Sequence, residues 1–274
     1  MTDLRVTSSD TTQIAVTDIG PRDAPAFVFI HGWAQARIAW EAQTPLSDRF
    51  RLITLDLRGH GDSDAPQDPA AYSDTHLWAD DVRAVLDVLQ PKAPVLVGWS
   101  YGARVIGAYL ATHGAGQVAG VALVGGVLAL GASREAWMAG PDSPGMNRAL
   151  YSADDAARAE ATRGFVAACT HVPLAADFTA RLIAVNDGVG ALVRRSLFKT
   201  DEDLRPVWAA FNRPALVVHG AQDTVIPASV GQAAADAFPN STLAVYNNCG
   251  HAPFLEHPAR FNADLEALAA RITP

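Results

Sequence analysis

The chain has 274 residues, with 21 Lys and Arg side chains against 29 Asp and Glu, and a formal net charge of −8 at pH 7. Hydrophobic residues make up 49% and charged residues 18%, a composition that excludes a disordered or fibrous chain. The acidic balance argues against a nucleic-acid partner, because binding to the phosphate backbone depends on positive charge. The length suits one main α/β domain that carries an insertion.

Cysteine content and the amino terminus indicate where the protein resides. Cys169 and Cys249 are too few for a disulfide framework and lack the paired spacing of a zinc site. Residues 1–6 lack the basic start and apolar stretch of a signal peptide. The longest uncharged apolar run, 118–132, has 15 residues, fewer than a membrane span requires. We therefore predict a cytoplasmic protein with no membrane span, no metal and no organic cofactor.

Apolar runs and their periodicity predict the elements of a sheet with crossover helices. The predicted strands are a hairpin within 4–18, then 27–30, 52–55, 95–98, 118–132 (a buried strand that leads into a loop), 216–219 and 243–246. Apolar residues from Trp78 to Leu89 follow helical spacing, with Ser73 or Asp74 available as N-cap and Pro91 just past the end. Strand and helix alternate from about residue 26 onward, which is typical of a mostly parallel, doubly wound sheet.

The rhythm changes between residues 128 and 206, where helix formers dominate and no β-branched run of strand length occurs. We predict a helical cap at 128–206, inserted into a core formed by 1–127 and 207–274. The run Asn186-Asp187-Gly188 predicts a turn between two of its helices. The predicted fold class is α/β, a mostly parallel doubly wound sheet with a helical cap insertion.

The run Gly98-Trp99-Ser100-Tyr101-Gly102 matches G-x-S-x-G, a strand-to-helix turn that exposes a serine. An apolar strand precedes it and an apolar helix follows. Glycines at both flanks let the chain turn sharply without Cβ collisions. The alternative is a glycine-rich turn with an incidental serine, which the flanking strand and helix disfavour.

A serine hydroxyl needs a base, and the base needs an orienting acid. His251 follows the last predicted strand in a loop that can fold back over the carboxyl edge of the sheet, where ligands bind in open α/β folds. Asp223 follows the strand 216–219 and can emerge at the same edge. Chain order Ser, Asp, His fits Ser100, Asp223 and His251. The other histidines, His219 among them, are interpreted as structural or as lacking a partner motif.

Acyl transfer also needs N–H donors for the oxyanion. We predict the backbone N–H groups of Tyr101 and Trp33, the latter in the loop after the strand 27–30. A larger set of apolar residues near the serine and in the insertion is predicted to contact substrate: Trp33, Trp99, Tyr101, Phe165, Leu197, Phe198 and Phe254.

With these motifs in place, the chain resembles the α/β-hydrolase superfamily over nearly its whole length. The matching segments, in order, are 31–33 (His-Gly-Trp), 56–63, 98–102, 219–223 and 250–254. It is similar to small bacterial serine carboxylesterases, including the pimeloyl-carrier methyl esterase group. The resemblance implies Ser100 as nucleophile, His251 as base, Asp223 as orienting acid and 128–206 as the cap over the pocket.

The resemblance implies a serine hydrolase that cleaves carboxylic esters of small to medium acyl or aryl groups through an acyl-enzyme intermediate. Ser100 argues against dehalogenases and epoxide hydrolases, which place an aspartate there, and Ala34 in place of proline disfavours strong perhydrolysis. Three alternatives stay open: a lactone or amide hydrolase on the same residues, a weak perhydrolase or haloperoxidase, and a ligand-binding receptor with a hydrolase fold. The predicted partner is a small-molecule ester; the sequence does not predict an oligomeric state.

Overall fold

The computed structural model describes residues 1–272. Its strands are β1 (Thr2–Thr7), β2 (Gln13–Ile19), β3 (Pro25–Ile30), β4 (Arg51–Leu55), β5 (Lys92–Trp99), β6 (Gly120–Val124), β7 (Ala129–Leu130), β8 (Glu202–Asp203), β9 (Ala215–Gly220) and β10 (Ser241–Tyr246). Its α-helices are α1 (Ala70–Ser73), α2 (Thr75–Leu89), α3 (Tyr101–His113), α4 (Asp155–Ala168), α5 (Ala176–Asp187), α6 (Ala191–Ser196), α7 (Arg205–Ala210), α8 (Ala228–Ala237), α9 (Pro253–Glu256) and α10 (Pro258–Ala270).

Eight strands form one sheet in the order β1-β2-β4-β3-β5-β6-β9-β10. Strands β4, β3, β5, β6, β9 and β10 pair with their neighbours in parallel, while β1 pairs antiparallel with β2, and β2 antiparallel with β4. Every residue of β6 and β9 is buried, because helices cover both faces of a parallel sheet. The α/β class, the mostly parallel sheet and the amino-terminal hairpin predicted from the sequence are therefore confirmed.

The structure adds detail to the predicted elements. The buried strand expected within 118–132 is β6, and it leads into a loop after Val124, where Gly125 turns the chain with φ of 51°. A 3-10 helix at Arg37–Asp48, with Pro45 inside it, lies between β3 and β4. Helix α2 begins where expected: the Asp74 side chain accepts a hydrogen bond from the backbone N–H of His76 and caps the helix.

The segment between β6 and α7 contains α4, α5, α6 and several single 3-10 turns. Its two ends are joined by an antiparallel ribbon in which Ala129 pairs with Asp203 and Leu130 with Glu202. Arg104 of α3, fully buried, forms an ion pair with Glu202 at 2.6 Å and so ties the ribbon to the helix behind Ser100. The domain boundaries at 128–206 stay a prediction, and residues 273–274 of the predicted core lie outside the described residues.

Within residues 1–272 no helix is both long enough and apolar enough to cross a membrane. One continuous hydrophobic core joins the sheet, the helices on its two faces and the inner faces of α4 and α6. The core thus reaches from the sheet into the inserted segment at the carboxyl ends of β5, β6 and β9, where Ser100 lies.

Candidate active site

Ser100 lies in a strained turn between β5 and α3. Its φ is 54° and its ψ −111°, outside the regions that residues with a side chain normally adopt. Its backbone N–H donates to the Val124 carbonyl at 2.8 Å, and its own carbonyl accepts from Ala103 and Val127. Such strain costs about 1–3 kcal/mol and persists only where the surroundings enforce it.

The two flanking glycines are required by close backbone packing. A Cβ on Gly98 would lie 2.7 Å from the backbone C and O of Gly102, and a Cβ on Gly102 would collide with the Ile30 carbonyl oxygen. Real Cβ atoms do not approach this closely, so neither position tolerates a side chain without movement of the backbone. The G-x-S-x-G spacing is therefore a packing requirement of the turn against β3.

Asp223 and His251 lie together beside this turn. His251 Nδ1 donates to Asp223 Oδ2 at 2.7 Å, and both side chains are buried. Asp223 Oδ1 accepts from the backbone N–H groups of Val225 (2.8 Å) and Ile226 (2.9 Å). Burial raises the pKa of the Asp223 carboxyl, but the charges and side-chain hydrogen bonds of His251 and His219 outweigh it and hold the pKa well below its usual range.

His251 has one free ring nitrogen. Its Nε2 is buried and makes no hydrogen bond to any residue within 1–272. The indole of Trp99, the residue before Ser100, donates to the His251 carbonyl at 2.9 Å and fixes the loop against the turn. Nδ1–H bonded to a carboxylate leaves Nε2 as the basic nitrogen. The ring is thus held as the tautomer that can accept a proton. Catalytic hydrogen bonds are often long in an unliganded enzyme and tighten only when substrate binds.

The predicted oxyanion donors lie on two sides of the serine. Tyr101 is the first residue of α3, and the first N–H groups of a helix have no intrahelical partner. Trp33 follows Gly32, where a Cβ would lie 3.3 Å from the Ser100 Cβ, so this loop passes directly beside the serine. No backbone hydrogen bond within the described chain uses the Trp33 N–H. Both donors are therefore free to bind an oxygen atom near Ser100.

A cavity of about 460 Å³ opens next to Ser100, within the size range of small-molecule sites. Its wall is mainly apolar and comes from the turns after β3, β5 and β9 and from the segment between β6 and α7: Trp33, Ser100, Tyr101, Val127, Leu128, Ala129, Leu130, Gly131, Arg134, Met138, Ser143, Pro144, Gly145, Tyr151, Arg195, Phe198, Lys199, Val225 and Ile226. Three of the residues predicted to contact substrate, namely Trp33, Tyr101 and Phe198, belong to this wall.

The other four predicted contacts lie outside the wall. Trp99 is turned toward the His251 loop, and Phe254 packs against it with ring centroids 5.0 Å apart. Phe165 packs edge-on behind Trp33, with centroids 5.2 Å apart. Leu197 is fully buried and offers only its carbonyl, which accepts from the Tyr101 hydroxyl at 2.8 Å. These four residues support the wall, a distinction that apolar character alone does not reveal.

Comparison with known proteins identifies the family. The family described as alpha/beta hydrolase fold matches residues 25–258. The chain belongs to this α/β-hydrolase family. It is 30% identical to a non-heme chloroperoxidase of Streptomyces lividans over 96% of this chain and 98% of that protein. The esterase RhEst1 from Rhodococcus sp. ECU1013 superposes with a TM-score of 0.91 at 32% identity, covering 100% of both chains. A pimeloyl-[acyl-carrier protein] methyl ester esterase of Aromatoleum aromaticum is 29% identical over 85% of this chain and 94% of that protein.

One histidine of this α/β-hydrolase was missed by the sequence reasoning. His219 Nε2 lies 3.1 Å from Asp223 Oδ2 and 2.9 Å from the Ile226 carbonyl, which makes Nε2–H the donor to both. The expectation that it lacks a partner is wrong, because the turn after β9 brings residue i+4 back beside the strand end. The His-x-x-x-Asp spacing of 219 and 223 was the available signal. Asp223 therefore accepts hydrogen bonds from two histidines.

Two other histidines of the α/β-hydrolase serve the loops behind the site, as expected. His31 Nδ1 lies 2.8 Å from the Gly32 carbonyl, while Nε2 accepts from the Leu57 N–H at 2.9 Å. His60 Nδ1 lies 2.9 Å from the Arg58 carbonyl. Burial lowers the pKa of His31 to about 4 and of His60 to about 3, so both rings are neutral at pH 7.

Metal ions and thiols are the other sources of hydrolytic chemistry in a site of this α/β-hydrolase. No cluster of three or more His, Cys, Asp or Glu side chains in residues 1–272 is arranged to hold a metal ion. Both cysteines are free and buried, and burial raises the pKa of each thiol, which keeps it protonated. Among the groups near the cavity, Ser100 lies on the turn beside the hydrogen-bonded pair of His251 and Asp223.

Proposed function

We propose that the protein is a serine hydrolase that cleaves carboxylic esters of small to medium acyl or aryl groups. The observation that supports this most is the 2.7 Å bond from His251 Nδ1 to Asp223, which leaves a buried, unpaired Nε2 beside a strained serine and an apolar cavity. The esterase relatives reported above support the same reaction class. The assignment of 128–206 as the cap over this cavity is part of the proposal.

The proposed reaction has two steps. Ser100 Oγ attacks the ester carbonyl while its proton passes to His251 Nε2, and the resulting imidazolium is stabilised by Asp223. The backbone N–H groups of Trp33 and Tyr101 bind the oxyanion of the tetrahedral intermediate. His251 then protonates the departing alcohol oxygen, which leaves an acyl group on Ser100. Water, deprotonated by His251, attacks that acyl group, and His251 then returns the proton to Ser100 Oγ as the carboxylic acid leaves.

The test is active-site labelling with a fluorophosphonate, followed by intact mass measurement, on the wild type and on Ser100→Ala. We expect one probe per chain in the wild type and none in the variant, together with turnover of at least one nitrophenyl ester from a series of acyl lengths. Ser47→Ala is a matched control, because that half-buried serine lies near the end of the 3-10 helix and is not part of the cavity wall. Labelling of a folded Ser100→Ala chain would contradict the proposal.

A perhydrolase activity is the second candidate, supported by the 30% identity to a chloroperoxidase over nearly the whole chain. In this reaction hydrogen peroxide replaces water in the attack on the acyl-enzyme, and the product is a peracid. Bromination of monochlorodimedone in the presence of peroxide, acetate and bromide measures it, because the peracid oxidises bromide to the brominating species. A rate above the Ser100→Ala background would establish the activity, and a rate equal to that background would exclude it.

A further inference from the structure

The cavity beside Ser100 carries an unbalanced positive charge. Its wall contains Arg134, Arg195 and Lys199, and none of its residues is an aspartate or glutamate. The chain as a whole has a net charge of −8, so a wall with three cations and no carboxylate runs against the overall composition. A concave site with low-dielectric walls concentrates such a field and attracts an anion.

Arg134 is the partly buried member of the group. Its guanidinium donates through Nη2 to the Ser143 hydroxyl at 2.7 Å and forms no ion pair within residues 1–272. Burial lowers the pKa of the Arg134 guanidinium, which stays protonated at neutral pH. The adjacent Glu135 does not balance this charge, because its carboxylate contacts Arg205 and the Trp137 indole. Arg134 therefore keeps uncommitted N–H donors at the cavity.

Helix α6 and the residues just after it add two more cations to the cavity wall. Arg195 donates through Nε and Nη2 to the carbonyl of Tyr151, at 2.9 and 2.7 Å, and no carboxylate neutralises it in the described chain. The Lys199 side chain is exposed and has no hydrogen-bond partner within residues 1–272. Behind this wall, buried Arg194 stacks on the Trp33 ring at 5.1 Å. Its hydrogen bonds go to neutral oxygens, so it adds to the positive potential.

Tyr151 adds a neutral donor between these cations. Its ring packs against Trp33 with centroids 5.7 Å apart and lines the cavity. Burial raises the pKa of its phenol, so the hydroxyl keeps its proton. No residue of the described chain accepts from that hydroxyl. A carboxylate in the cavity would thus meet a charged guanidinium, an ammonium and a phenol O–H, which are its preferred partners.

We propose that the substrate is an ester that carries a carboxylate remote from the scissile bond, and that Arg134, Arg195 and Lys199 bind this carboxylate while Ser100 attacks the ester. The inference rests on the proposed ester hydrolysis and specifies its substrate class. The apolar wall around Leu128 and Phe198 contacts the methylene chain that separates the two ends of the substrate.

The test compares esters that differ only in charge. Monoethyl adipate, ethyl hexanoate and the ethyl ester of adipic acid monoamide share one chain length, with the carboxylate replaced by a methyl or an amide. A second pair, 5-acetoxypentanoate and its amide, places the carboxylate on the alcohol half. We expect kcat/KM for at least one carboxylate ester to exceed that of its amide by about tenfold or more, since hydrogen bonds to charged groups contribute on that scale. Added salt reduces the ratio at the exposed cations.

Variants assign the effect to residues. Arg134→Gln and Lys199→Gln are each expected to lower the carboxylate-to-amide ratio about tenfold, and Arg134→Lys to restore part of it. Arg163→Gln is the matched control: it removes one exposed cation of α4, paired with Glu160 away from the cavity, and should leave the ratio and the activity on ethyl hexanoate unchanged. Lys199 is exposed, so its variant keeps the fold even where Arg134 variants do not.

The outcomes separate this inference from the proposed function. Two results would contradict the proposal of an anionic substrate and leave the esterase proposal intact. The first is turnover of the neutral esters with carboxylate-to-amide ratios of kcat/KM near one in the wild type. The second is a ratio that no variant changes. If no ester is turned over, the proposed function fails, and calorimetry of monoethyl adipate and 5-acetoxypentanoate with Ser100→Ala still decides the binding claim. Binding of neither anion overturns it.

Discussion

The hydrogen bonds around Asp223 make Asp223→Asn a sharp test of the proposed reaction. The carboxylate accepts four hydrogen bonds: two backbone N–H groups at Oδ1, and His251 Nδ1 and His219 Nε2 at Oδ2. An asparagine offers one acceptor oxygen and an NH₂ group. That oxygen will face the backbone N–H groups, because leaving both buried and unpaired costs about 1–3 kcal/mol each.

The NH₂ group then faces the two histidines. His219 can keep its proton on Nε2, since the Ile226 carbonyl at 2.9 Å still accepts it. His251 has no such alternative near Nδ1, so its ring adopts the other tautomer, with the proton on Nε2 and no base directed at Ser100. The same change in another serine hydrolase lowers kcat by about 10⁴-fold, or about 5.5 kcal/mol of transition-state stabilisation. We expect a loss of that size here.

The assay is steady-state hydrolysis of a nitrophenyl ester, with urea unfolding on the same preparations. We expect kcat to fall about 10⁴-fold while the unfolding midpoint changes little, because the Oδ1 bonds survive. Asp236→Asn, an exposed aspartate that accepts from Gln232, is the matched control and should retain full activity. A folded Asp223→Asn protein that keeps more than about a tenth of the wild-type rate would refute the tautomer argument.

Two further predictions concern the loops around the site. Gly102→Ala drives a methyl group into the Ile30 carbonyl, so we expect lower thermal stability and loss of fluorophosphonate labelling in circular dichroism and mass measurements; unchanged labelling would contradict the packing argument. Native His31 and His60 have pKa values of about 4 and 3, whereas the unfolded chain binds their protons near pH 6.5. As the pH is lowered below about 6.5, the free energy of unfolding should therefore fall by about 1.4 kcal/mol per pH unit for each histidine. Above that pH neither histidine makes the free energy of unfolding depend on pH. Urea titrations at pH 7 and 5 measure this, and His31→Gln, whose amide can still accept from Leu57, should show a smaller slope; equal slopes would exclude His31 as a cause.

The sequence predicted the α/β class because each central strand is a continuous apolar run with a turn after it. The position of Ser100 followed from two glycines whose spacing is set by packing against β3. Asp223 and His251 followed from their places after strand ends, which parallel pairing brings to one edge of the sheet. The sequence was sufficient for these residues because each one is positioned by the short turn that directly follows its own strand.

The cavity wall could not be predicted in the same way. Leu197, Phe165 and Phe254 are apolar like Phe198, but only the orientation of each backbone decides which side chain reaches the cavity. His219 was missed because its contact with Asp223 depends on the path of the turn after β9. In irregular segments, tertiary packing decides where a side chain points. The hydrophobic periodicity of a single sequence carries no information about that packing.

The ribbon of β7 and β8 has a consequence for engineering. Paired residues on antiparallel strands have Cα atoms about 4.5–5.5 Å apart. Leu130, where the chain leaves the core, and Glu202, where it returns, are such a pair and therefore lie side by side. A short hairpin turn could close that gap at a small cost in loop entropy. The intervening residues can thus be exchanged as a cassette between homologous scaffolds, provided that Arg104 keeps a carboxylate at position 202. Recombination at these two points leaves the strand pairing of the main sheet unchanged, but a new cassette must still supply the carbonyl that accepts from the Tyr101 hydroxyl, which Leu197 provides here.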